Sequence, residues 1–288
     1  MNALVAIALA VAAPQVTAGA GRADRADRVR ERMGRAVALL AYVAADYRSA
    51  VGPAGELLSA EEHQEQIAFV AQSADEVRQE GSAPELAAAL DGLRELVESR
   101  GNPREVARLA AALQLRVAQR YRVSMLPERA PDLARGKRLY RQACAACHGA
   151  DGTPTTALEL STKPTAFATR EAVASLTPQR IFAAASYGVP NTAMPAFGET
   201  VAEQDRWSVA YYALTLSHRG QAERARGAAL LRTATGGPGF LELSIKSDDQ
   251  LRAQLAAARI SPADREAIVS ALRAGIPPGP EKKDVARR

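Results

Sequence analysis

The chain has 288 residues, 47% of them hydrophobic and 24% charged, with a formal net charge of +5. That apolar content excludes a disordered chain, and 20 Gly with 16 Pro are too few for a collagen-like one. The 37 basic residues are scattered among 32 acidic ones without a block or interleaved aromatics, so no nucleic-acid partner is expected.

Residues 4–13 form an apolar run, followed by Pro14 and the small residues Thr17-Ala18-Gly19-Ala20. That pattern predicts a secretory signal peptide over residues 1–20 and export to the periplasm, although no Lys or Arg precedes the run. No cysteine stands near its end, so no lipid anchor is expected there. No apolar run reaches the roughly 20 residues that a membrane-spanning helix needs.

Residues 21–125 read as helices throughout. Val29, Met33, Val37, Leu40 and Ala44 fall on one stripe of a helix over 23–47. Ser59-Ala60-Glu61-Glu62 is a capping box for a helix to about Gln79. Ser82-Ala83-Pro84-Glu85 and Asn102-Pro103-Arg104-Glu105 start two more. Four such helices predict an up-down bundle. Glu61, Glu62, His63 and Glu65 read as an exposed acidic helix start, and Arg94-Glu95-Leu96-Val97-Glu98 as ordinary helix surface. Asp46 and Tyr47, just before a Gly-Pro turn, are the remaining metal-ligand candidates in this part.

The two cysteines of the chain are Cys144 and Cys147, and His148 follows directly. Cys144-Ala145-Ala146-Cys147-His148 is the C-x-x-C-H attachment pattern of c-type haem. Two thiols one helical turn apart can each form a thioether to a vinyl group, and the next residue then offers its imidazole to the iron. A redox disulfide normally opens a helix in a βαβ unit, and no strand pattern surrounds this pair. A zinc site would need further ligands, and there is no other cysteine.

Around the motif lie three expected helices. Residues 132–143 place Gly136 and Tyr140 one turn apart; a mid-helix glycine costs about 1 kcal/mol against alanine, and close helix contact is a reason to keep it. Thr177-Pro178 starts a short helix bearing Ile181, Phe182 and Ala185. Thr200-Val201-Ala202-Glu203 reads as a capping box opening a helix with Trp207, Ala210, Tyr211 and Leu214 on one face. Pro164 marks a turn whose carbonyl could accept the His148 Nδ1–H. In the loop Gly188-Val189-Pro190-Asn191-Thr192-Ala193-Met194-Pro195, the Met194 thioether can fill the sixth iron position. Met33, Met125, His63 and His218 are the weaker candidates.

Beyond residue 219, Ala225-Arg226-Gly227-Ala228-Ala229-Leu230-Leu231 echoes the helix at 132–143, but no cysteine follows it. Gly236-Gly237-Pro238-Gly239 breaks the chain, helices are expected near 248–258 and 262–274, and the charged tail from Pro277 is expected to be disordered.

Gly136, Tyr140, Cys144 to His148, the Met194-Pro195 loop, Trp207 and Tyr211 together closely resemble a class I cytochrome c domain. The resemblance covers residues 131–219. It implies an all-α fold, one covalent haem c with His148 and Met194 axial, and electron transfer with no catalytic residue. Leu39-Leu40-Ala41-Tyr42-Val43-Ala44-Ala45-Asp46-Tyr47 and Gln66-Ile67-Ala68-Phe69-Val70, leading into Pro131-Asp132-Leu133-Ala134-Arg135-Gly136, extend it. These segments resemble the extracytoplasmic part of bacterial proteins that fuse a cytochrome c to a high-affinity iron permease. That likeness implies service to an iron-uptake system, with a redox protein or a membrane iron permease as partner and room for peripheral membrane association. Two rival readings remain. One is a haem subunit of a periplasmic dehydrogenase or a peroxidase-like enzyme, which needs a displaceable sixth ligand. The other is an iron-binding bundle with the haem as redox reporter.

Overall fold

The computed structural model describes residues 18–155, 159–160, 162–233 and 238–275. The expected signal peptide lies outside them except for residues 18–20, which form the first turn of a helix, and the expected disordered tail lies wholly outside. Every described element longer than an isolated bridge is a helix, so the all-α expectation holds.

The bundle is built from α1 (Ala18–Ala50), α2 (Ala60–Glu80), α3 (Pro84–Glu98) and α4 (Pro103–Tyr121). Met33, Val37, Leu40, Val43 and Tyr47 recur every three or four residues and bury one face of α1 against α2 and α4. Ser59 caps α2 by accepting the Glu62 N–H at 3.2 Å, and Asn102 caps α4 by accepting the Arg104 N–H at 3.0 Å. His63 departs from the expected solvated face. It is 5% exposed, and its Nε2 bonds the Val97 carbonyl at 2.8 Å. The reason is its register: positions 63, 66, 70, 73 and 77 lie on the buried stripe of α2, so the acidic first turn reaches solvent while the histidine between its glutamates does not.

The second unit comprises α5 (Leu133–Ala143), α6 (Ala145–His148), α7 (Arg170–Val173), α8 (Pro178–Tyr187) and α9 (Glu203–Thr215). Asp132 caps α5, accepting the Ala134 and Arg135 N–H groups at 2.9 and 3.0 Å. Helix α5 crosses α9 at Gly136, where a Cβ would fall within 3.0 Å of the Ser208 carbonyl; here the glycine is required by the close approach. The opening of α9 differs from the expectation. Ala202 occupies the cap position with no side-chain bond, because the Val201 N–H turns back onto the Phe197 carbonyl at 2.9 Å and leaves Thr200 a turn too early.

The third region consists of α10 (Gln221–Thr233), α11 (Phe240–Ile245), α12 (Asp248–Ala257) and α13 (Pro262–Ala274). Its Leu243, Leu251, Val269 and Leu272 share one apolar cluster with Tyr140 and Trp207, so this region has no separate core. Its polar seam is also buried. His218 Nε2 meets Asp248 Oδ2 at 2.7 Å, His218 Nδ1 meets Ser270 Oγ at 2.9 Å, and Arg273 Nε donates to Asp248 Oδ1 at 2.8 Å.

The first and second units touch through α1 and α8. There Arg180 forms a two-pronged pair with Asp46, one arm at 3.1 Å, and lies over the Tyr42 ring at 5.0 Å from its centre. The Gln179 amide donates to the Met125 carbonyl at 3.1 Å. Among the described residues no helix is long and apolar enough to cross a membrane.

Candidate cofactor site

Cys144 ends α5 and Cys147 lies within α6, so the two thiols stand on consecutive short helices joined without a break. Both are free and half-buried. Burial, with Cys147 nearby, pushes the Cys144 thiol up to about 11. A redox-active cysteine pair needs the opposite, a thiol drawn down toward neutral pH, so this environment speaks against dithiol–disulfide exchange.

His148 is oriented by three neighbours. Its Nδ1 donates to the Thr165 carbonyl at 3.1 Å, one residue beyond the Pro164 that marks the turn. That bond fixes the tautomer and leaves Nε2 as the nitrogen with a lone pair to offer. The Phe167 ring sits 5.0 Å from the imidazole, centre to centre. The Tyr140 hydroxyl donates to the Gly149 carbonyl at 3.1 Å, holding the backbone just past the histidine. Gly149 itself has φ 76°, and a Cβ there would strike the Thr153 carbonyl, so the chain can leave the motif in this direction only with glycine. Burial lowers the His148 pKa against the opposing pull of the Thr165 bond, toward the neutral form that ligates metal.

Met194 stands on a separate loop, where it lines a cavity with Ala38, Leu39 and Tyr42 of α1, and no hydrogen bond or ring contact joins it to His148. Its N–H donates to Thr192 Oγ1 at 3.1 Å, and its carbonyl accepts the Val189 N–H at 3.3 Å. Gly188 makes the tight return possible, with φ 74° and its Cα 's missing Cβ position 2.9 Å from the Met194 carbonyl. The far end of the loop is pinned by Arg206, whose Nη1 donates to the Gly198 and Val201 carbonyls, each at 2.6 Å. The other sequence candidates are occupied elsewhere. Met33 is fully buried in the bundle, Met125 packs against the same core, and His63 and His218 are bonded as described above. Met194 is thus the one methionine of the second unit.

A haem c fits these residues. The unit supplies two thiols at the attachment spacing, a neutral oriented imidazole and a loop thioether. It also holds Trp207 Nε1 and Ser186 Oγ, buried polar atoms with no partner among the described residues. An orphaned buried donor costs about 1–3 kcal/mol, so an acceptor from outside the chain is what this interior lacks.

The bundle candidates do not assemble. Asp46 is committed to Arg180, Tyr47 is 1% exposed, and Arg94 pairs with Glu98 at 3.5 Å along one helix. Among the described residues no group of three or more His, Cys, Asp or Glu side chains is gathered for a metal ion. Neither Phe167 nor Arg206 stands out in the sequence: Phe167 meets His148 across a loop, and Arg206 finds its carbonyls only once the chain from Gly198 folds back onto the start of α9.

Residues 131–212 match the family described as cytochrome C oxidase, cbb3-type, subunit III. No curated protein and no solved structure matches the chain.

Proposed function

We propose that the c-type cytochrome domain matched at residues 131–212 makes this chain an electron-transfer protein with covalently bound haem c. We propose, more finely, an exported one-electron carrier with a single haem, attached at Cys144 and Cys147 and ligated by His148 and Met194. The observation that carries this reading is the His148 Nδ1–Thr165 bond directly after the cysteine pair, because it aims Nε2 and sets the neutral tautomer at once. When bound, the haem supplies a reversible one-electron iron couple. The protein's part is to hold that couple still. Tyr140 and Gly149 fix the backbone behind the imidazole, and Thr192, Gly188 and Arg206 fix the methionine loop. Ligation of the iron by His148 and Met194 would raise its potential and leave no easily opened site, which favours carriage over oxygen or peroxide chemistry.

The resemblance of the bundle to the extracytoplasmic part of cytochrome c/iron permease fusions supports a periplasmic setting beside an iron permease on a separate chain. A second reading is a subunit of a membrane oxidase, favoured by the name of the matched family. The test is expression with the haem c maturation machinery, followed by intact mass, alkaline pyridine spectrum and pull-down from native membranes. One haem per chain is expected, and iron permease in the pull-down; oxidase subunits would favour the second reading, and a colourless chain of bare protein mass would overturn both.

A further inference from the structure

We propose that α10 to α13 are a second copy of the cytochrome's helix framework, haem-free, which serves the first copy as a permanent packing partner. The observations lie in register on three helices.

The first is the crossing of the outer helices. At Gly136 on α5, a Cβ would collide with the Ser208 carbonyl and meet the Tyr212 Cβ at 3.0 Å. At Gly227 on α10, a Cβ would collide with the Ala267 carbonyl and meet the Ala271 Cβ at 2.9 Å. In both pairs the partners are a residue and its neighbour one turn on. The second is the charge beside each glycine. Arg135 pairs with Asp205 at 2.8 Å, and Arg226 pairs with Asp264 at 2.7 Å. Each arginine directly precedes its glycine, and each aspartate stands three residues before the carbonyl that the glycine meets. An arginine follows each aspartate, and both Arg206 Nε and Arg265 Nε are buried without a partner among the described residues. The third is the middle helix. Thr177 caps α8 on the Arg180 N–H at 3.1 Å, and Ser247 caps α12 on the Gln250 N–H at 3.3 Å. Four residues past each cap, Ile181 and Leu251 are buried. A small residue at a helix crossing is ordinary taken singly. The same glycine, ion pair and cap, in the same chain order and at the same offsets within each helix, are not what generic helix packing produces.

The second copy lacks what the first needs for haem. No cysteine or histidine follows Gly227, and a short turn at 258–261 stands where the first copy has its methionine loop. Protein fills this side instead: Leu243 joins the core shared with the first copy, Phe240 is buried, and the Asp248–Arg273 pair closes the polar seam, with Arg273 1% exposed. It is fastened to the first copy. Tyr211 and Ser244 hydroxyls meet at 2.7 Å, Arg170 reaches Glu223 at 2.7 Å and Glu266 at 3.2 Å, and the Asp249 N–H donates to the Ala174 carbonyl at 3.0 Å.

Hydrogen–deuterium exchange on the full chain tests this. In the Cys144→Ser/Cys147→Ser variant, which cannot attach haem, α5, α6 and the 188–202 loop should exchange at least about tenfold faster, while α10 and α13 change by less than about threefold. In the haem-loaded chain, Gly227→Val should speed exchange in α10 and α13 by about tenfold and leave haem per chain and the absorption spectrum unchanged, whereas Gly136→Val should lower haem per chain. Loss of protection in α10 and α13 together with the haem overturns the proposal, as does a Gly227→Val chain that keeps their protection or loses its haem. If Gly227→Val does not accumulate, the double cysteine variant decides alone.

Discussion

Gly34 of α1 is the notch into which Tyr187 of α8 fits: a Cβ at position 34 would overlap the phenol, coming 2.7 Å from its Cε1. Burial pushes that hydroxyl up to about 12. Tyr187 directly precedes Gly188, where the methionine loop begins, so the bundle touches the haem unit one residue from the loop it must hold. Gly34→Val is expected to displace the ring, at a cost of about 1–3 kcal/mol for overpacking. With the ring displaced, the far-red thioether-to-iron band should weaken and the potential fall. A spectrum and potential equal to the parent's would show that the notch has no hold on the loop.

Met194→Ala tests the axial reading directly and separately. The far-red band should vanish and the reduction potential drop, because the thioether favours the reduced iron. An unchanged band would remove Met194 from the site, whatever Gly34→Val does.

Arg180 and Asp46 join α8 to α1, partly exposed at 21% and 37%. Solvent screening keeps such a pair modest. A double-mutant cycle with Arg180→Ala and Asp46→Ala should give a coupling of about 0.5–1.5 kcal/mol by denaturant unfolding. The Tyr42 ring beneath the guanidinium places it toward the upper end. A coupling of zero would mean that this ion pair adds nothing to the hold of α8 on α1.

The buried seam predicts an acid limb. Burial pushes the Asp248 carboxyl up, but the His218 bond and the Arg273 guanidinium outweigh it and hold the carboxyl below its usual value. A carboxylate depressed in the folded state stabilises above its unfolded pKa, about 3.9, and that stabilisation is lost as pH falls through the lower folded value. Denaturant midpoints should therefore fall below about pH 4, and Asp248→Asn should flatten that fall. At neutral pH, Arg273→Met should cost about 3–5 kcal/mol by stranding a buried charge. Loss of less than about 1 kcal/mol would mean that water reaches the carboxylate.

Local signals made much of this legible in the sequence. Ser59, Asn102 and Thr177 each cap the helix they were expected to start, because a cap needs only a side-chain oxygen and a nearby N–H, whereas the helix expected at Ser82 opens at Ala83 with no side-chain cap. The cysteine pair, His148 and the close contact at Gly136 were legible for the same reason. What escaped depends on tertiary placement. His63 looks solvated among glutamates until α3 is laid against it, and His218 looks like a chain end until α12 and α13 close over it. The likeness of Gly227 to Gly136 is visible in a short string of letters, but the matching Asp264 becomes meaningful only once α13 crosses α10.

The segment between the first two units leaves Glu128, Arg129 and Ala130 exposed, an open site for trypsin after Arg129. Cutting there would sever the backbone without parting the pieces. The Gln179 amide on the Met125 carbonyl, the Arg180 clasp and the phenol seated at Gly34 all cross the cut. A clipped sample should run as two bands in denaturing gel and as one particle, of parental size and colour, on a sizing column.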